Sequence, residues 1–136
     1  MKTPKEVLQV WIEALNERDA QKAAALYHED AINIQVAADS PIYGREAIFQ
    51  DFVNFFSAFP DNYTHVENLF EDGEWAIIEW SGGGTFLGEF AGIMPSGKKF
   101  ALRGCGFFQV KDGKINFQRG YWDKATMFNQ IGIPMD

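Results

Sequence analysis

Residues 100–123 read FALRGCGFFQVKDGKINFQRGYWD, and this stretch decides the fold. Apolar side chains alternate on both sides of Asp112-Gly113, a pattern that predicts two antiparallel strands joined by a two-residue turn. Such a turn sets the register, which begins with Val110 opposite Ile115. The pairs that follow are Phe108–Phe117, Gly106–Arg119, Gly104–Tyr121 and Leu102–Asp123, and all of these residues share one face. Because this face is the more apolar, we expect it to point toward helices.

The inner face of this hairpin combines missing volume with polar groups. Gly104 and Gly106 supply no side chain, and Arg119, Tyr121 and Asp123 lie beside them. Bare backbone next to convergent polar groups is typical of a ligand pocket. A carboxylate in such a pocket is partly desolvated, which raises its pKa and suits it to proton transfer near neutral pH. An alternative stays open, in which the glycines only bend the strand, Arg119 and Asp123 form an ion pair, and Asp123 caps a final helix.

Helices are predicted in the first part of the chain. Thr3 and Glu6 form a capping box in front of an apolar stripe with helical spacing, and Asp19 can cap a short helix that continues to about Tyr27. Residues 31–36 alternate as a strand does. A third helix carries an apolar face that consists of Ile48, Phe52, Phe55, Phe56 and Phe59. Helices first and strands afterwards predict an α+β fold, which we expect to be a single domain over residues 1–136.

A second hairpin is predicted around Asp72-Gly73, but its inward face cannot be decided from the pattern. One face holds Leu69, Ala76, Ile78 and Trp80 together with His65, and the other holds Val66, Phe70, Trp75 and Ile77 together with Glu79. The three glycines at 82–84 predict a bulge or a bend in a long strand. They do not fit a phosphate-binding loop, because the flanking motif is missing.

Composition narrows the possible functions. Of the 136 residues, 46% are apolar, and the formal net charge is −7. An acidic chain of this kind does not favour nucleic acid or an anionic membrane surface as a partner. The single cysteine cannot form an internal disulfide, and the first residues lack the apolar run of a signal peptide, so we expect a cytoplasmic protein. No His/Cys pattern with zinc-ligand spacing is visible, so the sequence predicts no zinc site.

Several short motifs in the second half of the chain resemble one known family. They are Glu79-Trp80, residues 84–88 (GTFLG), residues 92–98 (GIMPSGK), residues 112–115 (DGKI), residues 121–123 (YWD) and residues 129–132 (NQIG). Each motif is weak alone, but their order and spacing together resemble the SnoaL-like polyketide cyclase family, within the nuclear transport factor two-like superfamily.

The resemblance implies a cone-shaped fold in which a strongly curved mixed or antiparallel sheet wraps around the N-terminal helices and leaves a deep pocket. It also implies a homodimer through the outer sheet face, where the register leaves Cys105, Phe107 and Trp122. In the cyclases an aspartate at the end of the final strand acts as acid and base, and Asp123 matches that position. The resemblance also implies that no metal or cofactor is needed. Phe86 stands where family members often carry a histidine.

The predicted site therefore has Asp123 as its catalytic residue and no metal. The predicted substrate-binding residues are His65, Trp80, Leu102, Gly104, Gly106, Phe108, Phe117, Arg119 and Tyr121. The first hypothesis is a cofactor-free cyclase or isomerase that acts on an apolar ligand with a carbonyl group. The second is a non-catalytic binding or dimerisation module on the same fold. A third is an epoxide hydrolase, which would need Glu79 close to Asp123.

Overall fold

The computed structural model describes residues 1–38 and 40–135, and within them it contains four helices and six strands. The helices are α1 (Pro4–Glu17), α2 (Ala20–Ala24), α3 (Arg45–Ala58) and α4 (Lys124–Ile131). The strands are β1 (Tyr27–Gln35), β2 (Ile42–Tyr43), β3 (Tyr63–Asp72), β4 (Trp75–Thr85), β5 (Lys99–Lys111) and β6 (Lys114–Trp122). In these described ranges, no helix is long and apolar enough to span a membrane.

The caps predicted for the first two helices are present. Thr3 Oγ1 accepts from the Glu6 N–H at 3.2 Å, and Glu6 Oε1 accepts from the Thr3 N–H at 2.9 Å. Asp19 caps α2, but this helix ends at Ala24 instead of continuing to Tyr27. Tyr27 begins β1 because its fully buried ring belongs to the core and its backbone pairs with Ile115. Sheet pairing thus overrides the local helical preference.

The six strands form one sheet in the order β2-β1-β6-β5-β4-β3. β1 runs parallel to β6, and the other neighbouring strands are antiparallel. The predicted α+β class with a curved, mixed sheet around the N-terminal helices is confirmed. The inner side of the sheet packs against α1 and α3 in one apolar cluster.

The terminal hairpin contains one extra residue that its turn does not reveal. Val110 pairs with Ile115 as predicted, but Gln109 pairs with Phe117, so Asn116 has no partner of its own. Asn116 is the extra residue of a β-bulge, which we call the hairpin bulge. An inserted residue reverses the side-chain alternation of everything after it on that strand. The predicted pairs beyond Ile115 were therefore wrong, and the observed ones are Phe108–Gln118, Phe107–Arg119, Gly106–Gly120, Cys105–Tyr121 and Gly104–Trp122.

The structure shows which face of the second hairpin, β3 and β4, points inward. Ala76 and Ile78 are fully buried on the inner face of β4, and Glu79 is exposed on the outer face. A register shift around Glu67 separates the two ends of β3, and beyond it His65 pairs with Ser81. His65 therefore lies on the outer face and not on the face of Ile78, to which simple alternation had assigned it.

The second apolar cluster lies where α3 ends and α4 begins. Phe59, which follows α3, is fully buried at its centre. Its ring centroid lies 5.2 Å from that of Phe55, 5.1 Å from Phe90 and 5.0 Å from Phe100. Aromatic contacts of this kind add to the free energy gained from burial.

We expect Phe59→Ala to lower the free energy of unfolding by about 3–5 kcal/mol, because it removes the centre of this cluster and leaves a cavity. Urea denaturation followed by circular dichroism measures the change. Tyr43→Ala is the control, since Tyr43 is 67% exposed, and it should cost less than about 1 kcal/mol. Equal losses in the two variants would contradict the central packing role of Phe59.

Candidate active site

A cavity of about 430 Å³ lies between the inner face of the sheet, α1 and α3. Its walls are mainly aromatic and aliphatic, and they include Trp11, Phe52, Phe55, Ile78, Trp80, Phe90, Phe100, Leu102, Phe108, Trp122, Met127 and Phe128. A cavity of this size and character suits a small organic ligand with a large apolar surface. It is formed jointly by elements from both ends of the chain.

Few charged groups reach this cavity. Among the lining residues that the structure describes, Asp51 is the only carboxylate and Lys124 is the only cation. The Lys124 Nζ lies 5.2 Å from the centre of the Phe128 ring, so this cation rests on an aromatic wall. The two charges come from different helices, α3 and α4.

Asp51 faces the cavity from α3, one turn before Phe55. Asp51 is exposed to solvent, so it lies at an open part of the cavity wall, and nearby protein atoms desolvate its carboxyl group only in part. This desolvation raises the pKa of the Asp51 carboxyl above its ordinary value. A carboxylate with a raised pKa accepts a proton more readily near neutral pH, and this makes Asp51 a candidate general base.

Two chains of hydrogen bonds lead from indole rings to the cavity. In the first, Trp11 Nε1 donates to Tyr27 Oη at 3.0 Å, and Tyr27 Oη donates to Gln118 Oε1 at 2.5 Å. In the second, Trp122 Nε1 donates to Gln35 Oε1 at 3.0 Å, and Gln35 Nε2 donates to Asn33 Oδ1 at 2.7 Å. The end residues Asn33 and Gln118 both line the cavity.

Four of the residues predicted to bind substrate lie at this cavity, namely Trp80, Leu102, Gly106 and Phe108. Gly104 is also on the inner face, but the Trp80 ring covers it. A Cβ atom on Gly104 would approach Trp80 Cε2 to 2.7 Å. The space predicted beside Gly104 is thus filled by an indole.

The hairpin bulge turns three predicted site residues to the outer face of the sheet. The guanidinium of Arg119 lies over the rings of Phe107 and Phe117, at 5.6 and 5.5 Å. Tyr121 is 40% exposed, and its ring contacts that of Phe107. Neither Phe117, Arg119 nor Tyr121 lines the cavity. The same shift brings Trp122, predicted on the outer face, to the inner one.

Asp123 caps α4 at the protein surface. Its carboxylate accepts from the Thr126 N–H at 3.0 Å and from the Thr126 hydroxyl at 2.7 Å. These hydrogen bonds lower the pKa of Asp123, whereas a desolvated catalytic acid would have a raised pKa. Of the two roles that the sequence left open, the local geometry provides the helix cap.

His65 and Glu79 also point away from the cavity. His65 is exposed beside the ring of Tyr63, and Glu79 accepts from Asn68 Nδ2 at 2.6 Å on the outer face. The structure therefore does not bring Glu79 and Asp123 together at the cavity, as a two-carboxylate epoxide hydrolase site would require. In residues 1–38 and 40–135, no three His, Cys, Asp or Glu side chains converge as a metal site.

The sequence model of the SnoaL-like polyketide cyclase family matches residues 5–131. The chain belongs to this family. Aklanonic acid methyl ester cyclase DnrD of Streptomyces peucetius is 24% identical over 137 residues, which cover 98% of this chain and 94% of that protein.

Solved structures agree with the SnoaL-like fold. IdmH from Streptomyces antibioticus superposes with a TM-score of 0.80 at 25% identity, covering 96% of this chain and 99% of its own. A protein with a ketosteroid isomerase-like fold from Catenulispora acidiphila, crystallised with trimethylamine, gives a TM-score of 0.82 at 19% identity and covers 98% and 96% of the two chains.

Within this SnoaL-like fold, sequence reasoning missed several polar residues that reach the cavity, among them Asn33, Gln35, Asp51 and Gln118. A signal for Asp51 was present, because it is the acid four residues before Phe55 on the aromatic face of α3. No local signal existed for Gln118, since only the hairpin bulge turns it inward.

We expect Asp51→Asn to stabilise the protein at about pH 8 and to have little effect at about pH 3. The folded state raises the pKa of Asp51, so the wild type loses stability as the pH rises from the unfolded pKa through the folded one. Urea denaturation across this range measures the difference. Asp30→Asn, at an exposed position on β1, is the control. A difference that grows as the pH falls would contradict the assignment.

Proposed function

We propose that the protein is a cofactor-free acid/base enzyme that cyclises or isomerises an apolar substrate containing a carbonyl group. The observation that supports this proposal most directly is Asp51, the only carboxylate among the described residues that line a mainly apolar cavity, with a raised pKa. Membership of the SnoaL-like polyketide cyclase family supports it. The relative DnrD, named for its action on aklanonic acid methyl ester, suggests polyketide esters as a first substrate class to test.

The proposed reaction begins with proton removal by Asp51. Its carboxylate takes a proton from a carbon next to the substrate carbonyl, and the C–H electron pair forms a C=C bond while the carbonyl oxygen becomes negative. In ring closure the enolate carbon then attacks a second carbonyl group of the same molecule. The protonated Asp51 returns its proton to the new alkoxide. In isomerisation the proton is returned to a different carbon.

The second candidate function is ligand binding without catalysis. Phe86 is fully buried in the core where family members often carry a histidine, so that polar group is absent at this position. A fold can keep its cavity while its chemistry changes. In that case the raised pKa of Asp51 would have no consequence for turnover.

We expect Asp51→Asn to lower kcat by about 10²–10⁴-fold, because the variant cannot accept the proton. Turnover of aklanonic acid methyl ester is one assay. Exchange of the α-hydrogens of apolar aromatic ketones such as 2-tetralone in D2O, followed by mass spectrometry, is the other. Activity should fall as the pH drops through the raised pKa of Asp51.

Asp30→Asn is the matched control and should retain wild-type rates. Asp123→Asn decides between the two carboxylates, since asparagine also caps helices well. A large loss of turnover in Asp123→Asn, with Asp51→Asn unchanged, would overturn the assignment of Asp51. Binding of these compounds without turnover or exchange would favour the non-catalytic candidate.

We also propose a homodimer through the outer face of the sheet. Phe70 is 57% exposed there, and the aromatic group formed by Phe107, Phe117 and Tyr121 continues the apolar surface. Glu79 and Arg103 lie on the same face, which gives it charges of both signs. A face that is apolar and carries both charges can pair with a second copy of itself about a two-fold axis.

We expect Phe70→Glu to weaken this dimer by at least about tenfold, because it places a charge in the apolar contact. Sedimentation equilibrium over a range of concentrations measures the dissociation constant. Tyr43→Glu alters an exposed aromatic residue on β2, at the opposite edge of the sheet, and should leave assembly unchanged. A monomeric wild type, or equal weakening in both variants, would contradict the proposed interface.

We further propose that the protein works in the cytoplasm. Cys105 is the single cysteine of the sequence and is a free thiol in the structure. A chain that uses no internal disulfide suits a reducing compartment.

A further inference from the structure

The hydrogen bonds that run from Trp11 through Tyr27 to Gln118 can have only one donor-to-acceptor direction. An indole N–H can only donate, so the Tyr27 oxygen must accept from Trp11. The Tyr27 ring is fully buried, and its hydroxyl hydrogen needs an acceptor, which is Gln118 Oε1. The amide of Gln118 is thereby oriented with its oxygen toward Tyr27. Its NH2 group must point the other way.

The hydrogen bonds that start at Trp122 fix the orientation of the Asn33 amide in the same way, through Gln35. Gln35 Oε1 accepts from the indole, so Gln35 Nε2 is the donor to Asn33 Oδ1. Since the Asn33 oxygen accepts this hydrogen bond, the Asn33 NH2 group takes no part in the series that starts at Trp122. Gly120 makes this arrangement possible, because a Cβ atom there would collide with the amide of Gln35.

Both chains end at the same place. Asn33 on β1 and Gln118 on β6 are register partners in the parallel pair of strands, which run about 5 Å apart. Their side chains are only 5% and 6% exposed, and both line the cavity. Within residues 1–38 and 40–135, neither NH2 group has a hydrogen-bond acceptor. Neither nitrogen is among the described buried atoms that lack a hydrogen-bond partner, so both NH2 groups are accessible from the cavity, where two neighbouring donors can bind one acceptor of a ligand.

We propose that the NH2 groups of Asn33 and Gln118 together form an oxyanion site, which binds the enolate oxygen of the substrate or the oxygen of a phenolate. This site deepens the proposed function and rests on it for its catalytic role. Two donors that are already oriented stabilise a developing negative charge without having to reorganise. The four other members of the two hydrogen-bond chains hold the amides in these orientations, and three of them, Trp11, Gln35 and Trp122, also form part of the cavity wall.

The oxyanion site completes the proton transfer proposed for Asp51. When the carboxylate removes the α-proton, the carbonyl π electrons move onto oxygen, and that oxygen accepts from the two amide N–H groups. The negative charge thus passes from Asp51 to the enolate oxygen of the substrate, where the two amide N–H groups stabilise it. Burial also raises the pKa of Tyr27, so its hydroxyl stays protonated and keeps donating to Gln118.

The test is the binding of substituted 2-naphthols whose ionisation spans neutral pH, measured by fluorescence titration, with naphthalene as the neutral ligand. The wild type should bind the naphtholate more tightly than naphthalene. Gln118→Glu and Asn33→Asp keep the oxygen that accepts within each chain but replace the cavity NH2 by an acceptor. Each should weaken naphtholate binding at least about tenfold and leave naphthalene binding within about twofold.

Two further variants separate this site from a general disturbance. Gly120→Ala displaces the flexible end of Gln35 without touching Asn33, and it should weaken naphtholate binding selectively even if the charged variants fold poorly. Gln109→Glu is the matched control, because Gln109 also accepts from an amide N–H, that of Asn116, but lies on the outer face. It should not change the binding of either ligand.

Asp51→Asn distinguishes the two proposals. It should abolish proton exchange but preserve or strengthen naphtholate binding, since a nearby negative charge is removed. Loss of exchange in Asp51→Asn together with unchanged naphtholate binding in Gln118→Glu, Asn33→Asp and Gly120→Ala would overturn the oxyanion site and leave the base intact. A wild type that binds naphthalene but discriminates against the naphtholate would also overturn it.

Discussion

One inserted residue in β6 determines which side chains reach the cavity. Asn116 forms a bulge directly after the turn, and from that point onward the strand presents the opposite set of side chains to the inner face. Gln118 and Trp122 consequently enter the cavity, whereas Arg119 and Tyr121 lie outside. The apolar residues of β5 keep their places because the inserted residue belongs to the other strand. The side chains that β6 contributes to the cavity therefore follow from a single backbone irregularity.

The cavity separates two kinds of polar group. Asp51 on α3 lacks strong hydrogen-bond partners within the described residues, and its desolvation makes protonation more favourable. The amides of Asn33 and Gln118, on the sheet side, are held by buried partners in fixed orientations. A proton acceptor on one wall and oriented donors on another match what enolate formation requires. The cost of desolvating Asp51 is the kind of instability that functional sites retain.

Family membership and local geometry contribute different information. The SnoaL-like match over residues 5–131 establishes the family, and the solved structures support the fold. Asp123, to which the resemblance assigns the acid and base role, caps α4 at the surface in this chain. Phe86, in turn, joins the aromatic cluster around Phe59. The chain thus keeps the family scaffold, and its cavity is lined by polar groups from α3, β1 and β6.

The sequence by itself determined the elements whose causes are local. The Thr3 capping box, the aromatic face of α3, the two Asp-Gly turns and the α+β order depend on residues close together in the chain, and they were predicted correctly. Only the tertiary structure decided which residues share the cavity. The bulges at Asn116 and near Glu67 shift side-chain alternation without any distinctive residue to mark them. Asp51 meets Gln118 and Asn33 across one space only because α3, β6 and β1 pack around it, and such meetings depend on long-range pairing that no local pattern encodes.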